Sequence, residues 1–239
     1  MKLPTPLIRG RLIKRYKRFL ADVLLDGGTT ITCTCPNTGS MRGLTEPGSI
    51  VWLSESDDPK RKYRHTWQMI ENDISGVPTL VGINTQHPNK LVCEAIEAGK
   101  ISPLKGYASL KREQKYGTNS RIDILLEDED KGRAYVEIKN VHLMREAGYA
   151  EFPDSVTERG AKHLRELAEM ARQGDRAVML FLVQRGDANK MGLATDIDPG
   201  YAEAFKLAMA AGVEALAYRC DLTTEEIVVA RKIPVKQPR

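Results

Sequence analysis

Three ionisable residues stand where apolar strands do not ordinarily carry charge. Asp123 lies between Ile122 and Ile124 in "SRIDILL", and Glu137 and Lys139 flank Ile138 in "YVEIKNV". In an extended strand, residues two apart share a face at a spacing of about 7 Å. Glu137 and Lys139 therefore point one way while Val136 and Ile138 point the other. If the two segments pair as a hairpin across "EDEDKG", closed by Gly132, Asp123 faces Glu137 across the ladder. Two carboxylates that close repel, and one has its pKa pushed up. A divalent cation removes the conflict. Mg²⁺ is hard, prefers oxygen, and is often held by one or two carboxylates with waters and a phosphate. A lysine beside it can orient or help deprotonate an attacking water and offset charge on a phosphate. Asp123 and Glu137 are thus candidate metal ligands, and Asp123, Glu137 and Lys139 candidate catalytic residues. The same residues also fit a plain ion pair between Glu137 and Lys139, since E-x-K alone is close to noise. A buried charge without function tends to be replaced, which speaks for the metal reading, and on these residues alone both readings stand.

The elements that must carry these residues are legible in the hydrophobic pattern. From residue 7 to 82 short strands are punctuated by turns: "FLADVLL", a Gly27-Gly28 turn, "TTITCTC", the loop "CPNTGSM", then "SIVWLSES", "RHTWQMIEN" (strand or short helix) and "GVPTLVGINT". Strands recurring at that rhythm predict a small β-barrel, and a five-stranded barrel of the OB type fits the length. After residue 83 the period changes. "HPNKLVCEAIEAG" is helical, with Pro88 near its start and Gly99 at its end. "TERGAKHLRELAEMARQG" is a helix capped by Thr157, with Leu164, Leu167, Ala168 and Ala171 as its apolar stripe. "RAVMLFLVQRG" is apolar without interruption, as a central, doubly covered strand is. "DPGYAEAFKLAMAAG" is a further helix, and "VEALAYRCDL" and "EIVVARKIPV" close as strands. The order predicts an α+β to α/β chain: an OB-like barrel over 1–82, then a mixed sheet flanked by helices over 83–239. The tail "VKQPR" is expected to fray.

Charge placement suggests a partner. The net charge is +4, and residues 1–82 hold the whole excess, with twelve Lys and Arg against eight Asp and Glu. It concentrates at Arg9, Arg11, Lys14, Arg15, Lys17 and Arg18, and again at Lys60, Arg61, Lys62 and Arg64, with tyrosines interleaved. Such patches suit phosphate backbones, DNA or RNA; they also suit a solvated face with no partner. The four cysteines offer only a lone C-x-C, which excludes a paired zinc motif and reads as reduced, buried thiols. No apolar run approaches the ~20 residues needed to span a bilayer, and no signal peptide is evident, so a cytoplasmic protein without membrane attachment is expected.

Asp123 with Glu137-Ile138-Lys139 resembles the PD-(D/E)xK, or restriction-endonuclease-like, superfamily. A tighter resemblance runs along nearly the whole chain. "RYKRFLADV", "CPNTGSM", "RKYRHTW", "SRIDILL", "YVEIKNV", "FPDSVTERGAKHLREL" and "GVEALAY" look like the sugar fermentation stimulation protein A (SfsA) family. That resemblance implies an N-terminal OB-like domain, a C-terminal domain of nuclease-like fold, DNA binding, and a link to regulation of sugar (maltose) utilisation genes. It further implies that Asp123, Glu137 and Lys139 form the nuclease-like core. Glu113 in "REQKYG" is then a candidate third acid, and Thr157, Glu158, Arg159, Lys162 and His163 form a motif on the following helix. Arg159, Lys162 and His163 fall on neighbouring helical positions and could meet a phosphate. Asn140 stands where many relatives are expected to have Ser. Three functions follow as expectations: a non-catalytic DNA-binding regulator carrying a potential Mg²⁺-dependent nuclease site, an active Mg²⁺- or Mn²⁺-dependent phosphodiesterase on nucleic acid, or a hydrolase of a small phosphate ester.

Overall fold

Alternation of buried and exposed residues along the N-terminal third curls it into a barrel. The computed structural model describes residues 1–4, 6–74, 76–117 and 120–236. Strands β1 (Ile8–Tyr16), β2 (Leu20–Leu25), β3 (Thr30–Thr34), β4 (Ile50–Glu55) and β5 (His65–Asn72) pair in the cyclic order β1-β2-β3-β5-β4. β1 is antiparallel to both β2 and β4, and its register slips between Leu12 and Lys14, a bulge that bends it across the two halves. A parallel bridge, Thr34 opposite Thr66, closes the ring, with the two hydroxyls 3.1 Å apart. Leu12, Val23, Cys33, Val51, Leu53 and Trp67 fill the interior. "RHTWQMIEN" is therefore strand, since its buried centre serves the barrel. All four cysteines are buried and free. β6 (Thr79–Gly82) adds outside the ring on β5.

The rest of the chain builds a second core. After α1 (Pro88–Glu97) come β7 (Ser109–Tyr116), β8 (Ser120–Asp128) and β9 (Gly132–Val141), an antiparallel meander. β10 (Leu143–Glu146), β11 (Tyr149–Phe152), α2 (Glu158–Arg172), β12 (Arg176–Val183), β13 (Lys190–Leu193), α3 (Pro199–Ala210), β14 (Glu214–Leu222), β15 (Ile227–Ile233) and β16 (Val235–Lys236) follow. The main sheet has the order β15-β14-β12-β9-β8-β7. β12 lies between two parallel neighbours, β9 and β14, and its apolar run is buried from Ala177 to Val183, as its composition requires. α1 covers one face, packing Leu91, Val92 and Ile96 with Ile124, Val136 and Ile138. α2 and α3 cover the other with Leu164, Leu167 and Phe205. Thr157 caps α2 by accepting from Gly160 N, and Asp198 caps α3 by accepting from Tyr201 N.

Three features depart from the sequence reading. A four-stranded side sheet, β10-β11-β13-β16, is built from strands too short to show a period. Its last member includes Val235, paired with Met191, so the expected fraying tail is anchored there; residues 237–239 lie outside the described residues. Residues 1–3 join the second core and not the barrel: the Met1 amine donates to Ile227 O at 2.9 Å, and Leu3 N to Glu225 O at 2.8 Å. Barrel and second unit are also bonded directly, through Gly82 N to Gln184 O at 2.8 Å and Met41 N to Asp154 Oδ2 at 2.8 Å. Among the described residues no helix is long and apolar enough to cross a membrane.

Candidate functional site

The β8–β9 ladder runs from Asp128 opposite Gly132 to Ile124 opposite Val136, and there it ends. One residue further on, the Asp123 side chain does what a backbone carbonyl does elsewhere: its Oδ2 accepts from Ile138 N at 2.8 Å. Oδ1 accepts from Asn89 Nδ2 at 2.9 Å, from the first turn of α1. Glu137 follows Val136 on β9 and is only 2% exposed. Its Oε1 accepts from Lys139 Nζ at 2.7 Å and from His163 Nδ1 on α2. Its Oε2 is buried with no hydrogen-bond partner.

The two carboxylates are driven apart electrostatically. Burial pushes the Asp123 carboxyl up, and the charge of Glu137 adds to it, against the Ile138 N–H and Asn89 bonds. Burial also works against ionising Glu137, but the His163 hydrogen bond and the Lys139 charge outweigh it and hold that carboxyl below its usual range. The unpaired Oε2 is the atom that fits a cation. A buried acceptor without a donor is costly, and a divalent ion shared with Asp123 would satisfy it and remove the repulsion. Among the described residues no group of three or more His, Cys, Asp or Glu gathers at metal-holding distance. The candidate donors are the two carboxylates of Asp123 and Glu137, a set of the kind that suits Mg²⁺ or Mn²⁺ completed by water and phosphate oxygens and not a closed protein cage.

A cleft of about 500 Å³ opens over these groups, lined by Arg112, Glu113, Arg121, Asp123, Glu137, Lys139 and Arg159, with Asn89 and Asn140 beside them. Four cations face three carboxylates there. Glu113 is brought to this wall, exposed on β7 with a left-handed φ of 53°, between the pairs Arg112–Ile124 and Gln114–Ile122. That conformation is strained for a non-glycine residue and marks the point where β7 passes the site. Lys162 is exposed and 3.7 Å from Glu166. Arg159 lines the cleft, whereas His163 is buried against Glu137 and does not offer itself to a phosphate from solution.

Among the described residues, none of the barrel cations named from sequence lines this cleft. Arg15 donates to the carbonyls of Asn37, Gly39 and Ser40, and Arg18 to that of Thr38, so these two pin the "CPNTGSM" loop. Arg11 reaches Gly48 O, and Arg9 pairs with Asp26 at 3.0 Å. Arg64 bonds Glu55 and Ser56 O, and Arg61 reaches Thr66 Oγ1. Lys14 lies over the Tyr16 ring and 3.7 Å from Asp22. Lys62 lies over Tyr63, and Lys17 and Lys60 are exposed.

Comparison with known proteins agrees along the whole length. Residues 13–83 match the family described as SfsA N-terminal OB domain, and residues 86–226 that described as sugar fermentation stimulation protein RE domain. The chain is 58% identical over 239 residues to the sugar fermentation stimulation protein homologs of Brucella ovis and Brucella melitensis, covering 100% of this chain and 99% of each relative. The chain belongs to the SfsA family. The structure of Pyrococcus furiosus SfsA in complex with Ca²⁺ superposes with a TM-score of 0.86 at 29% identity, over 99% of this chain and 98% of that one. The barrel is accordingly the OB domain of an SfsA protein, and the mixed sheet with its helices is the RE domain.

Sequence reasoning missed several cleft residues of this SfsA chain: Arg112, Arg121 and Asn89. Arg121 could have been found, because it stands two before Asp123 and shares its face of β8. Arg112 enters through the β7–β8 register, and Asn89 through the way α1 crosses the sheet; neither has a local signal.

Proposed function

We propose that this SfsA protein is a cytoplasmic DNA-binding protein whose RE-domain cleft holds a Mg²⁺ or Mn²⁺ ion at Asp123 and Glu137 and hydrolyses phosphodiester bonds. The observation that carries the reading is the buried, unpartnered Oε2 of Glu137, a residue that lines an arginine-walled cleft together with Asp123. The Pyrococcus furiosus relative bound to Ca²⁺ supports a divalent site in the same fold. The relatives' description as sugar fermentation stimulation proteins supports a role in controlling sugar-utilisation genes.

When bound, the cation supplies Lewis acidity toward a phosphoryl oxygen and neutralises the repulsion between the carboxylates. The chain's own residues do the rest. Asn89 and the Ile138 N–H hold Asp123 in one orientation. Arg112, Arg121 and Arg159 line the approach and can pair with phosphate oxygens in bidentate fashion. Lys139, with its ammonium on Glu137 Oε1, stands where it can orient the attacking water and balance charge growing on the phosphate. On the barrel, the exposed Lys17, Lys60 and Lys62 supply a salt-sensitive grip on the backbone.

A second reading, a binder without turnover, is favoured by the tie between Lys139 and Glu137, which holds the lysine to a ligand. One matched experiment separates them: wild type and Lys139→Ala on single-stranded, duplex and flap DNA, with Mg²⁺ or Mn²⁺. Hydrolysis predicts cleavage by wild type, a loss of about 100-fold or more in the variant, and retained DNA binding. Equal cleavage by both sinks the assignment of Lys139. No cleavage by either leaves the binder. DNA affinity that does not change with salt sinks both readings.

A further inference from the structure

His163 lies on the buried side of α2 with Gly160, Leu164 and Leu167. Its two ring nitrogens have different neighbours. Nδ1 meets Glu137 Oε1, and Nε2 is 3.4 Å from Arg159 Nε. An ionised carboxylate only accepts hydrogen bonds, and an arginine N–H only donates. Together the contacts fix the tautomer, with hydrogen on Nδ1 and the lone pair on Nε2. Lys139 Nζ is also 3.4 Å from Nδ1. In this tautomer both carry hydrogen, so the lysine and the ring are fellow donors to Oε1 and not partners of one another. One oxygen of Glu137 therefore has two donors, while the other has none.

We propose that His163 is a positioning residue for the divalent-cation site: its Nδ1–H holds one oxygen of Glu137 so that the other is left for the cation, and Arg159 maintains the tautomer. The inference rests on the cation site proposed above. Groups that orient a ligating carboxylate are commonly as consequential as the ligand's own placement, because a carboxylate free to rotate meets the ion in fewer productive orientations. Arg159 is exposed and lines the cleft, so the guanidinium that sets the ring also borders the space an incoming anion would occupy.

The test is titration calorimetry of the full chain with Ca²⁺ or Mn²⁺, without nucleic acid, on wild type, His163→Asn, His163→Gln and His163→Phe. The Asn amide nitrogen takes the place of Nδ1 and keeps the donor to Glu137. The Gln amide nitrogen takes the place of Nε2 and faces Arg159. Wild type and His163→Asn should bind within about 3-fold of each other, and His163→Gln and His163→Phe about 10–100-fold more weakly. Circular dichroism melts report folding. Should His163→Phe not fold, the Asn and Gln variants, both polar amides, still decide the matter. Wild-type binding with Asn and Gln alike overturns the positioning role and leaves the cation site standing. No cation binding by wild type overturns the cation site itself.

Discussion

The basic run of the barrel and the cleft of the RE domain use arginine in opposite ways. In the barrel, Arg15 and Arg18 turn back onto carbonyls of residues 37–40, and Arg11 onto that of Gly48. Their positive charge is consumed in shaping the loops. In the RE domain, Arg112, Arg121 and Arg159 border a cleft that also holds Asp123, Glu137 and Lys139. There the charge is presented to whatever enters. The densest basic run in the sequence is thus partly architecture, and the cations that line the cleft come from three consecutive strands and the start of α2.

Removing the ligands is the sharpest way to break this contrast. Asp123→Ala and Glu137→Gln should each lower divalent-cation affinity by about 100-fold or more, measured by calorimetry, because each removes one of the two carboxylates proposed to hold the ion. Asp123→Ala should also cost about 1–3 kcal/mol in a urea melt, since it leaves the Ile138 N–H without its acceptor. Glu137→Gln keeps that bond and serves as the cleaner probe of chemistry.

Arg15→Ala comes next. If Arg15 is architecture, its loss should appear in stability, about 2–3 kcal/mol for the charged hydrogen bonds to Asn37 and Gly39. The double variant Lys60→Ala, Lys62→Ala should do the reverse. Its stability should stay within about 0.5 kcal/mol of wild type. Its DNA affinity should lose about 2 from the slope of log K against log salt. The opposite pattern would mean that the arginine-to-carbonyl bonds are incidental.

The joint between the two regions gives a smaller, pH-dependent effect. Burial works against ionising Asp154, but the His142 hydrogen bond outweighs it and depresses the carboxyl. A depressed carboxyl stabilises the fold fully above its ordinary range, and the contribution is lost as pH falls through its folded value. The stability difference between wild type and Asp154→Asn should therefore shrink as pH falls below about 4. A difference that grows in acid would refute the pairing. Lys162→Ala should do least: the lysine is exposed and stands 3.7 Å from the largely buried Glu166, and a change under about 1 kcal/mol is expected in a thermal melt.

Much of this was readable beforehand, and the limits are instructive. The Asp123–Glu137 hairpin, the buried β12 strand, and the Thr157 cap follow from local periods and turn chemistry. So does the barrel, whose strands each carry their own alternation. His163 reads from the sequence as a phosphate-facing neighbour of Arg159 and Lys162 and not as a buried residue, although it stands four residues before Leu167 and so shares its inward face. Arg112 and Asn89 were out of reach, because their arrival depends on register and helix crossing, which no short window contains. The same holds for residues 1–3, whose partners lie near residues 225–227.

The end of the β8–β9 ladder has one more consequence. The Ile138 amide is protected by a side chain and not by a neighbouring strand's carbonyl. Its hydrogen exchange therefore tracks the charge and orientation of Asp123, while the amides of the paired stretch from Val136 back to Gly132 track the sheet. A single backbone resonance thus serves as an internal gauge of the cleft, readable by NMR without substrate or turnover.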